Sequence, residues 1–100
     1  MERYNSRLVD EFGRISIPSQ LRKELEINTG DKISLTAVST IVVMEKATGD
    51  VVAECHVCDV SELGMITLPL ELRQQMGWQT KDELLLYHTD NLMILKSEKK

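Results

Sequence analysis

Two eight-residue stretches decide the fold of this chain: residues 11–18 read EFGRISIP, and residues 62–69 read ELGMITLP. Four of the eight positions are identical, and three of the others are conservative exchanges. The same offset of 51 residues, with no gap, aligns further pairs: Val9 with Val60, Leu21 with Leu72, Arg22 with Arg73, Asp31 with Asp82, and Leu35 with Leu86. The chain is therefore built from two copies of one unit.

The repeat sets the domain organisation. Repeat one covers residues 3–46 and repeat two covers residues 54–97, and a Gly-Asp turn signal lies between them near residues 47–50. A chain of 100 residues with 42% hydrophobic content has enough apolar surface for one modest core. A unit of about 44 residues cannot bury enough surface alone. We therefore expect the repeats to share one core, as a single domain over residues 1–100. Repeat one could instead pair with repeat one of a neighbouring chain, but the short linker favours pairing within one chain.

Each repeat begins with two short strands around a glycine turn. In repeat one, a strand over residues 7–10 leads to Gly13, where the absence of a Cβ permits a positive φ. In the next strand, Ile15 and Ile17 alternate with polar residues, one of which is Arg14. Because side chains alternate between the two faces of a strand, this pattern predicts isoleucines facing the core and arginine facing outward.

A short helix follows the second strand. Pro18 ends that strand and suits the opening of a helix, with Ser19 as the predicted cap. Leu21 and Leu25, four residues apart, predict the buried side of a helix of about two turns. In repeat two, Gly77 lies where a glycine commonly ends a helix.

Two further strands complete the unit. They are predicted over residues 32–38 and 41–46, joined by a tight turn at residues 39–40 whose counterpart is residues 90–91. The unit is therefore β-β-α-β-β, and the fold class is mostly β with two short helices. We expect the two units to interleave as one closed barrel of eight short strands, with the helices packed outside or at the ends.

The distribution of charge is uneven. Twelve basic and sixteen acidic residues give a net charge of −4, which by itself argues against a nucleic-acid partner. However, four of the five arginines lie in the first 22 residues: Arg3, Arg7, Arg14 and Arg22. Contact with phosphate depends on local potential, because charges are screened over about 8 Å at physiological salt. The segment is either a phosphate-binding surface or a solvated charged face.

Residues 7–23, RLVDEFGRISIPSQLRK, resemble the N-terminal domain of the AbrB/SpoVT regulators. The signature of that family is Asp-Glu-x-Gly-Arg-x-x-x-Pro followed by an arginine-rich helix, and the resemblance covers repeat one almost completely and repeat two more loosely. Two copies in one chain are also similar to the MraZ group, where tandem units form one barrel. The resemblance implies a swapped-hairpin β-barrel that binds double-stranded DNA and regulates transcription.

Carried over residue by residue, the resemblance implies a DNA-binding set of Arg7, Arg14, Arg22 and Lys23, with Arg73 assisting from repeat two. A guanidinium group binds phosphate through two hydrogen bonds and can read guanine edges. Repeat two has lost most of this charge, because Arg7, Arg14 and Lys23 correspond to Cys58, Met65 and Gln74. We therefore expect repeat two to act as scaffold, and two single-chain barrels to pair as a homodimer.

Two other functions remain open. The chain could be an antitoxin-like protein-interaction module of the MazE type, although only residues 96–100 follow the last predicted strand, whereas such antitoxins normally append a long tail. Alternatively, the acidic second repeat could recruit another protein while the first holds DNA.

Single features that suggest other chemistry have plainer interpretations. Cys55 and Cys58 have zinc-like spacing, but residues three apart in a strand point to opposite faces, so neither a metal site nor a disulfide is expected. Asp31 and Asp82 are predicted to accept backbone hydrogen bonds in turns, rather than to act in catalysis. Trp78 is predicted to pack behind the second helix.

Several classes of protein are not expected. The sequence has no Ser-His-Asp arrangement and no glycine-rich phosphate loop, so we predict neither an enzyme nor a cofactor. The longest apolar runs are far shorter than the roughly 20 residues that span a membrane. The polar N-terminus does not resemble a secretion signal, which predicts a cytoplasmic location.

Overall fold

The computed structural model describes residues 2–47 and 55–97. Repeat one contributes β1 (Glu2–Leu8), β2 (Arg14–Ser16), α1 (Ser19–Glu24), β3 (Lys32–Val38) and β4 (Ile41–Lys46). Repeat two contributes β5 (His56–Asp59), β6 (Met65–Thr67), α2 (Leu70–Met76), β7 (Glu83–Thr89) and β8 (Leu92–Ser97). The prediction of a mostly β fold with two short helices is confirmed. The predicted linker turn and the start of repeat two at residue 54 lie outside the described residues.

The two repeats exchange their first strands. In repeat one, β1 pairs with β7 and β2 pairs with β6, so both strands bind the other repeat. In repeat two, β5 correspondingly pairs with β3. The last two strands of each repeat pair with each other, and β4 also pairs with β8. Neither repeat could keep these ladders without the other.

The pairing is symmetric about the repeat. In the β2–β6 ladder, Ile15 lies opposite Ile66, its own counterpart at the offset of 51. In the β4–β8 ladder, Val43 lies opposite Ile94, again its own counterpart. Both ladders are therefore centred on equivalent residues, as a local two-fold axis relating the repeats requires.

The strands form two antiparallel sheets. One has six strands in the order β1-β7-β8-β4-β3-β5, and the other contains only β2 and β6. No ladder joins these two sheets within residues 2–47 and 55–97. The predicted closure of all eight strands into one barrel therefore remains a prediction.

The hydrophobic core draws on both repeats. Fully buried side chains alternate along the strands and line the inner sides of the helices, with Ile15, Leu21, Ile66 and Leu72 among them. Trp78 is also buried, which confirms its predicted packing role. Burying such apolar side chains away from water is the main force that holds the repeats together.

Local predictions at the element ends have mixed outcomes. Gly77 ends α2 in the left-handed conformation, as predicted, with a φ of 71°. Ser19 does not cap α1: the helix begins after Pro18, and no side chain caps it. Strand β1 starts at Glu2, earlier than residue 7, because its ladder to β7 extends through the polar N-terminal segment. No helix in the described ranges is long and apolar enough to cross a membrane.

Candidate functional site

Strand β2 is the element around which the predicted site residues gather. Its central residue, Ile15, is buried, and its two neighbours, Arg14 and Ser16, are partly exposed. Across the ladder, Arg14 lies opposite Thr67 and Ser16 lies opposite Met65. The outer face of this two-stranded sheet therefore carries a cation on the side of repeat one and uncharged side chains on the side of repeat two.

Arg14 is held by the turn that precedes it. Its Nε donates to Asp10 Oδ2 at 2.8 Å, and its backbone N–H donates to Asp10 Oδ1 at 2.8 Å. Its Cζ lies 4.9 Å from the centre of the Phe12 ring, within the range of a cation–π contact. Among the described residues, no hydrogen bond engages its Nη atoms, so the outer edge of the guanidinium is available to a ligand.

The carboxylate of Asp10 orients Arg14 and offsets part of its charge. Partial desolvation acts to raise the pKa of Asp10, but hydrogen bonds from Arg14 and Phe12, with the charge of Arg14, lower it overall. The carboxylate therefore stays ionised beside the guanidinium. Because Asp10 offsets part of the charge of Arg14, the positive potential at this point depends on which edge of the guanidinium faces solvent.

Arg7 and Arg22 reach β2 from neighbouring elements. From β1, Arg7 Nη1 donates to the hydroxyl of Ser16 at 3.1 Å. From α1, Arg22 Nε donates to the carbonyl of Ile17 at 3.0 Å. With Arg14, these side chains form the β2 arginine row, defined here as Arg7, Arg14 and Arg22. Residues 14 to 17 span about 10 Å at the usual rise of a strand.

Lys23 extends this cationic surface along α1. Its side chain is exposed, and it lines an open cleft of about 510 Å³ together with Arg22 and Lys46. Lys46 is already engaged there, because its Nζ lies 3.3 Å from a carboxylate oxygen of Asp31. Arg22 and Lys23 are therefore the residues of the predicted set that face this cleft.

Arg73 approaches β2 from the opposite repeat. Its Nε donates to the carbonyl of Leu68 at 2.9 Å, and a Cβ atom at Gly13 would lie only 2.6 Å from its Cζ. The guanidinium thus covers Gly13, the residue immediately before Arg14. Four of the five predicted residues therefore lie on or beside β2, and Lys23 lies on α1. Arg22 and Arg73 are half-buried and bound to backbone carbonyls.

The equivalent turn of repeat two keeps one of the hydrogen bonds made by Asp10, without the charge. Ser61 takes the place of Asp10, and its hydroxyl accepts the backbone N–H of Met65 at 3.2 Å.

Burial, with the nearby charge of Asp59, raises the pKa of the Cys58 thiol to about 12. That thiol stays protonated at neutral pH, and metal binding would require the thiolate.

The predicted turn aspartates have the role assigned to them. Asp31 Oδ2 accepts the backbone N–H of Asn28 at 2.7 Å, and Asp82 Oδ2 accepts that of Gln79 at 2.8 Å. These bonds order the connection between helix and strand in both repeats. The interpretation of the aspartates as turn residues is confirmed.

Sequence reasoning missed an apolar feature beside Arg14. Phe12 is 69% exposed, and with Leu8 and Thr80 it lines an open, mainly apolar cleft of about 430 Å³. Its counterpart, Leu63, is 75% exposed. A large apolar residue at the same turn position in both repeats was the available clue, because core packing does not require it there.

Comparison with known proteins assigns the family. A model of the family described as "Antidote-toxin recognition MazE, bacterial antitoxin" matches residues 7–50 and 60–100. These segments cover most of the chain and follow its two repeats, so the chain belongs to the MazE antitoxin family. The match indicates a regulatory or antitoxin-like module.

The solved structures add a likeness of fold. The chain is similar to the solution structure of PHS018 from Pyrococcus horikoshii, with 20% sequence identity and a TM-score of 0.52. The similarity covers 96% of this chain and 91% of that one. At this identity the likeness concerns the fold alone. No curated protein matches the chain significantly.

Proposed function

We propose that the protein is a DNA-binding transcription regulator of the AbrB type, and that the β2 arginine row contacts the DNA backbone. One observation carries this proposal: arginines from β1, β2 and α1 meet along a single strand. A charged surface that only contacts solvent does not require arginines from three different elements to lie side by side. Lys23 extends the contact surface.

The chemistry of the row suits a polyanion. Guanidinium groups bind phosphate oxygens in a planar, two-pronged geometry. The row's three guanidinium groups can each contact one phosphate group of the DNA backbone. The net charge of −4 does not prevent such contact, because screening limits the influence of distant carboxylates.

The proposal includes the architecture predicted from the sequence. The two sheets would form the walls of a swapped-hairpin barrel, and the exchange of first strands between the repeats supports this arrangement. One chain would present one cationic half, so two chains would pair to read a complete site. The protein would act by binding DNA in the cytoplasm, without catalysis.

The test is selection of duplexes from a random-sequence pool, followed by binding titrations at several salt concentrations. We expect an enriched sequence and an affinity that falls with salt at a log–log slope of about −2 to −4, since each phosphate contact contributes about −0.9. The absence of both an enriched sequence and binding at low salt would contradict the proposal.

The family description favours a second candidate, an antitoxin-like protein-interaction module. Exposed apolar side chains at the turns and at the start of α2 support it: Leu8, Phe12, Leu63 and Leu70. Size-exclusion chromatography with a purified cognate toxin would test this function. We expect a complex that Phe12→Ser weakens, while Val38→Ser, at an exposed position in another hairpin, leaves it intact. The candidate fails if no complex forms.

A further inference from the structure

The contact between Arg73 and Gly13 joins repeat two to the charged turn of repeat one. Gly13 is buried and has a φ of +76°, and the space where a side chain would stand is filled by the Arg73 guanidinium. A Cβ at Gly13 would lie 2.6 Å from Cζ and 2.8 Å from Nε of that arginine. The guanidinium therefore lies directly against the backbone of the turn.

The same contact recurs at the other end of the two-stranded sheet. Arg22 covers Gly64, where a Cβ would lie 2.5 Å from its Cζ, and its Nε is bound to the carbonyl of Ile17. In each case the arginine belongs to one repeat and the glycine to the other. At the offset of 51, this is the only arginine position that both repeats retain. Its retention in repeat two, where the other cations are lost, indicates a task other than contact with DNA.

The contact is directly connected to Arg14. Arg73 binds the carbonyl of Leu68, and the N–H of Leu68 donates to the carbonyl of Gly13 at 2.8 Å. Gly13 in turn donates to the carbonyl of Asp10 at 3.0 Å, and Asp10 holds both the backbone and the side chain of Arg14. A short chain of bonds thus links Arg73 to the guanidinium proposed to contact DNA.

We propose that Arg73 is a positioning residue: from repeat two, it fixes the Gly13 turn so that Arg14 faces the DNA, and it does not itself contact DNA. This inference rests on the proposed DNA-binding function. It gives repeat two a defined part in a site whose charge lies in repeat one. It also gives Arg73 a different role from Arg14, although both were predicted from the sequence as DNA-binding residues.

A double-mutant cycle tests the inference through DNA binding. The variants are Arg73→Gln, Arg14→Ala and their combination, titrated with a fluorescent duplex selected by the wild-type protein. We expect Arg73→Gln to weaken binding about 5- to 20-fold alone, but less than about 2-fold when Arg14 is already alanine. Independent, multiplicative losses would overturn the inference, because they would mean that Arg73 acts by its own contact or through the whole fold.

Arg22→Gln is the matched control, since it removes the equivalent contact at Gly64. Arg22 belongs to the β2 arginine row and lies away from Gly13, so its effect should multiply with that of Arg14→Ala. Arg73→Lys, which keeps the charge without the planar group, replaces Arg73→Gln if the latter does not fold. Thermal unfolding of each variant confirms that binding is measured on folded protein.

A readout without DNA separates failure of this inference from failure of the proposed function. Arg14 lowers the pKa of Asp10, so a displaced turn in Arg73→Gln should shift that pKa back toward its ordinary value, as followed by NMR titration. Arg22→Gln should leave the titration of Asp10 unchanged. If the pKa of Asp10 is unchanged in Arg73→Gln, the inference is wrong, regardless of the result of the DNA-binding titrations. If Arg14→Ala leaves DNA binding intact, the proposed function fails, and the titration still decides the role of Arg73.

Discussion

The two repeats share a scaffold and differ in the surface it carries. Both have an arginine from the other repeat over the turn glycine, and both have an aspartate that orders the connection from helix to strand. The polar face differs: Arg7, Arg14 and Asp10 of repeat one correspond to Cys58, Met65 and Ser61 of repeat two. The contacts that hold the fold are therefore present twice, whereas Arg7 and Arg14, which are proposed to contact DNA, are present once.

This difference between the repeats distinguishes the arginines that stabilise the fold from those that are proposed to bind a ligand. A structural contact must exist at both ends of a symmetric interface, because each end needs its own support. A ligand contact has no such requirement when one face alone meets the ligand. Arg22 and Arg73 satisfy the first condition, whereas Arg7 and Arg14 satisfy the second. Arg22 meets the first condition and is also a member of the β2 arginine row.

The largest effect should come from removing the charge that distinguishes the repeats. Arg14→Ala should weaken binding of a selected duplex about 10- to 100-fold, because charge-assisted hydrogen bonds to phosphate are strong. Met65→Ala, at the same position of repeat two, should change the affinity less than about 2-fold. Fluorescence anisotropy measures both. Equal losses in the two variants would mean that the repeats do not differ in function.

The second prediction separates stability from binding. Gly13→Ala and Gly64→Ala should each lower the free energy of unfolding by about 2–4 kcal/mol, from left-handed strain and the clash with an arginine. Chemical denaturation should give similar losses for both, because the contacts are equivalent. Gly13→Ala should weaken DNA binding several-fold more than Gly64→Ala does, since the Gly13 turn presents Arg14, whereas Gly64→Ala disturbs only Arg22. If Gly64→Ala weakens binding as much, the turn of repeat one has no special role.

A gain of charge offers a third test. Met65→Arg would restore a cation to the outer face of the two-stranded sheet on the side of repeat two. We expect the affinity for DNA to rise about 3- to 10-fold and the salt slope to steepen by about one phosphate contact. Met65→Gln controls for polarity without charge. A variant that binds no better than wild type would show that repeat two faces away from DNA.

The smallest effect concerns acid stability. Because the folded-state pKa of Asp10 lies below its ordinary value, its contribution to stability is present above that value and is lost as pH falls through the lower folded pKa. Melting temperatures between pH 2 and pH 7 should therefore fall less steeply at the acid end in Asp10→Asn than in wild type. Ser61, the counterpart in repeat two, does not titrate there. If the melting temperatures of Asp10→Asn and wild type fall equally at the acid end, Arg14 is not held by Asp10 in solution.

Much of the fold could be predicted from the repeat. The offset of 51 located both helices and the hairpins β3–β4 and β7–β8, since alternation of apolar residues and turn residues is a local property. The pairing of β1 with β7 could not be predicted in the same way. Its first half is polar, and hydrogen bonding to another strand depends on contacts distant in sequence.

The structure shows where the predicted cationic residues lie, and their role in binding DNA stays a prediction. The resemblance named five cationic residues; four of them lie on or beside β2, and Lys23 lies on α1. The sequence did not predict that Arg22 and Arg73 would bind backbone carbonyls, because a guanidinium serves equally well for structure or for a ligand. Joint retention of the arginine and the glycine at the offset of 51 was the informative pattern. Asp10 was missed because its bond to Arg14 arises from the geometry of the turn.

The most direct test of the central claim compares salt slopes of DNA binding. Arg7→Gln with Arg14→Gln removes two cations of the β2 arginine row, and Lys32→Gln with Lys96→Gln removes two cations elsewhere. The account predicts that the first double variant flattens the log–log slope by about two phosphate contacts, while the second leaves it close to that of wild type. Equal flattening in both would contradict the account, because DNA would then respond to overall charge and not to the row.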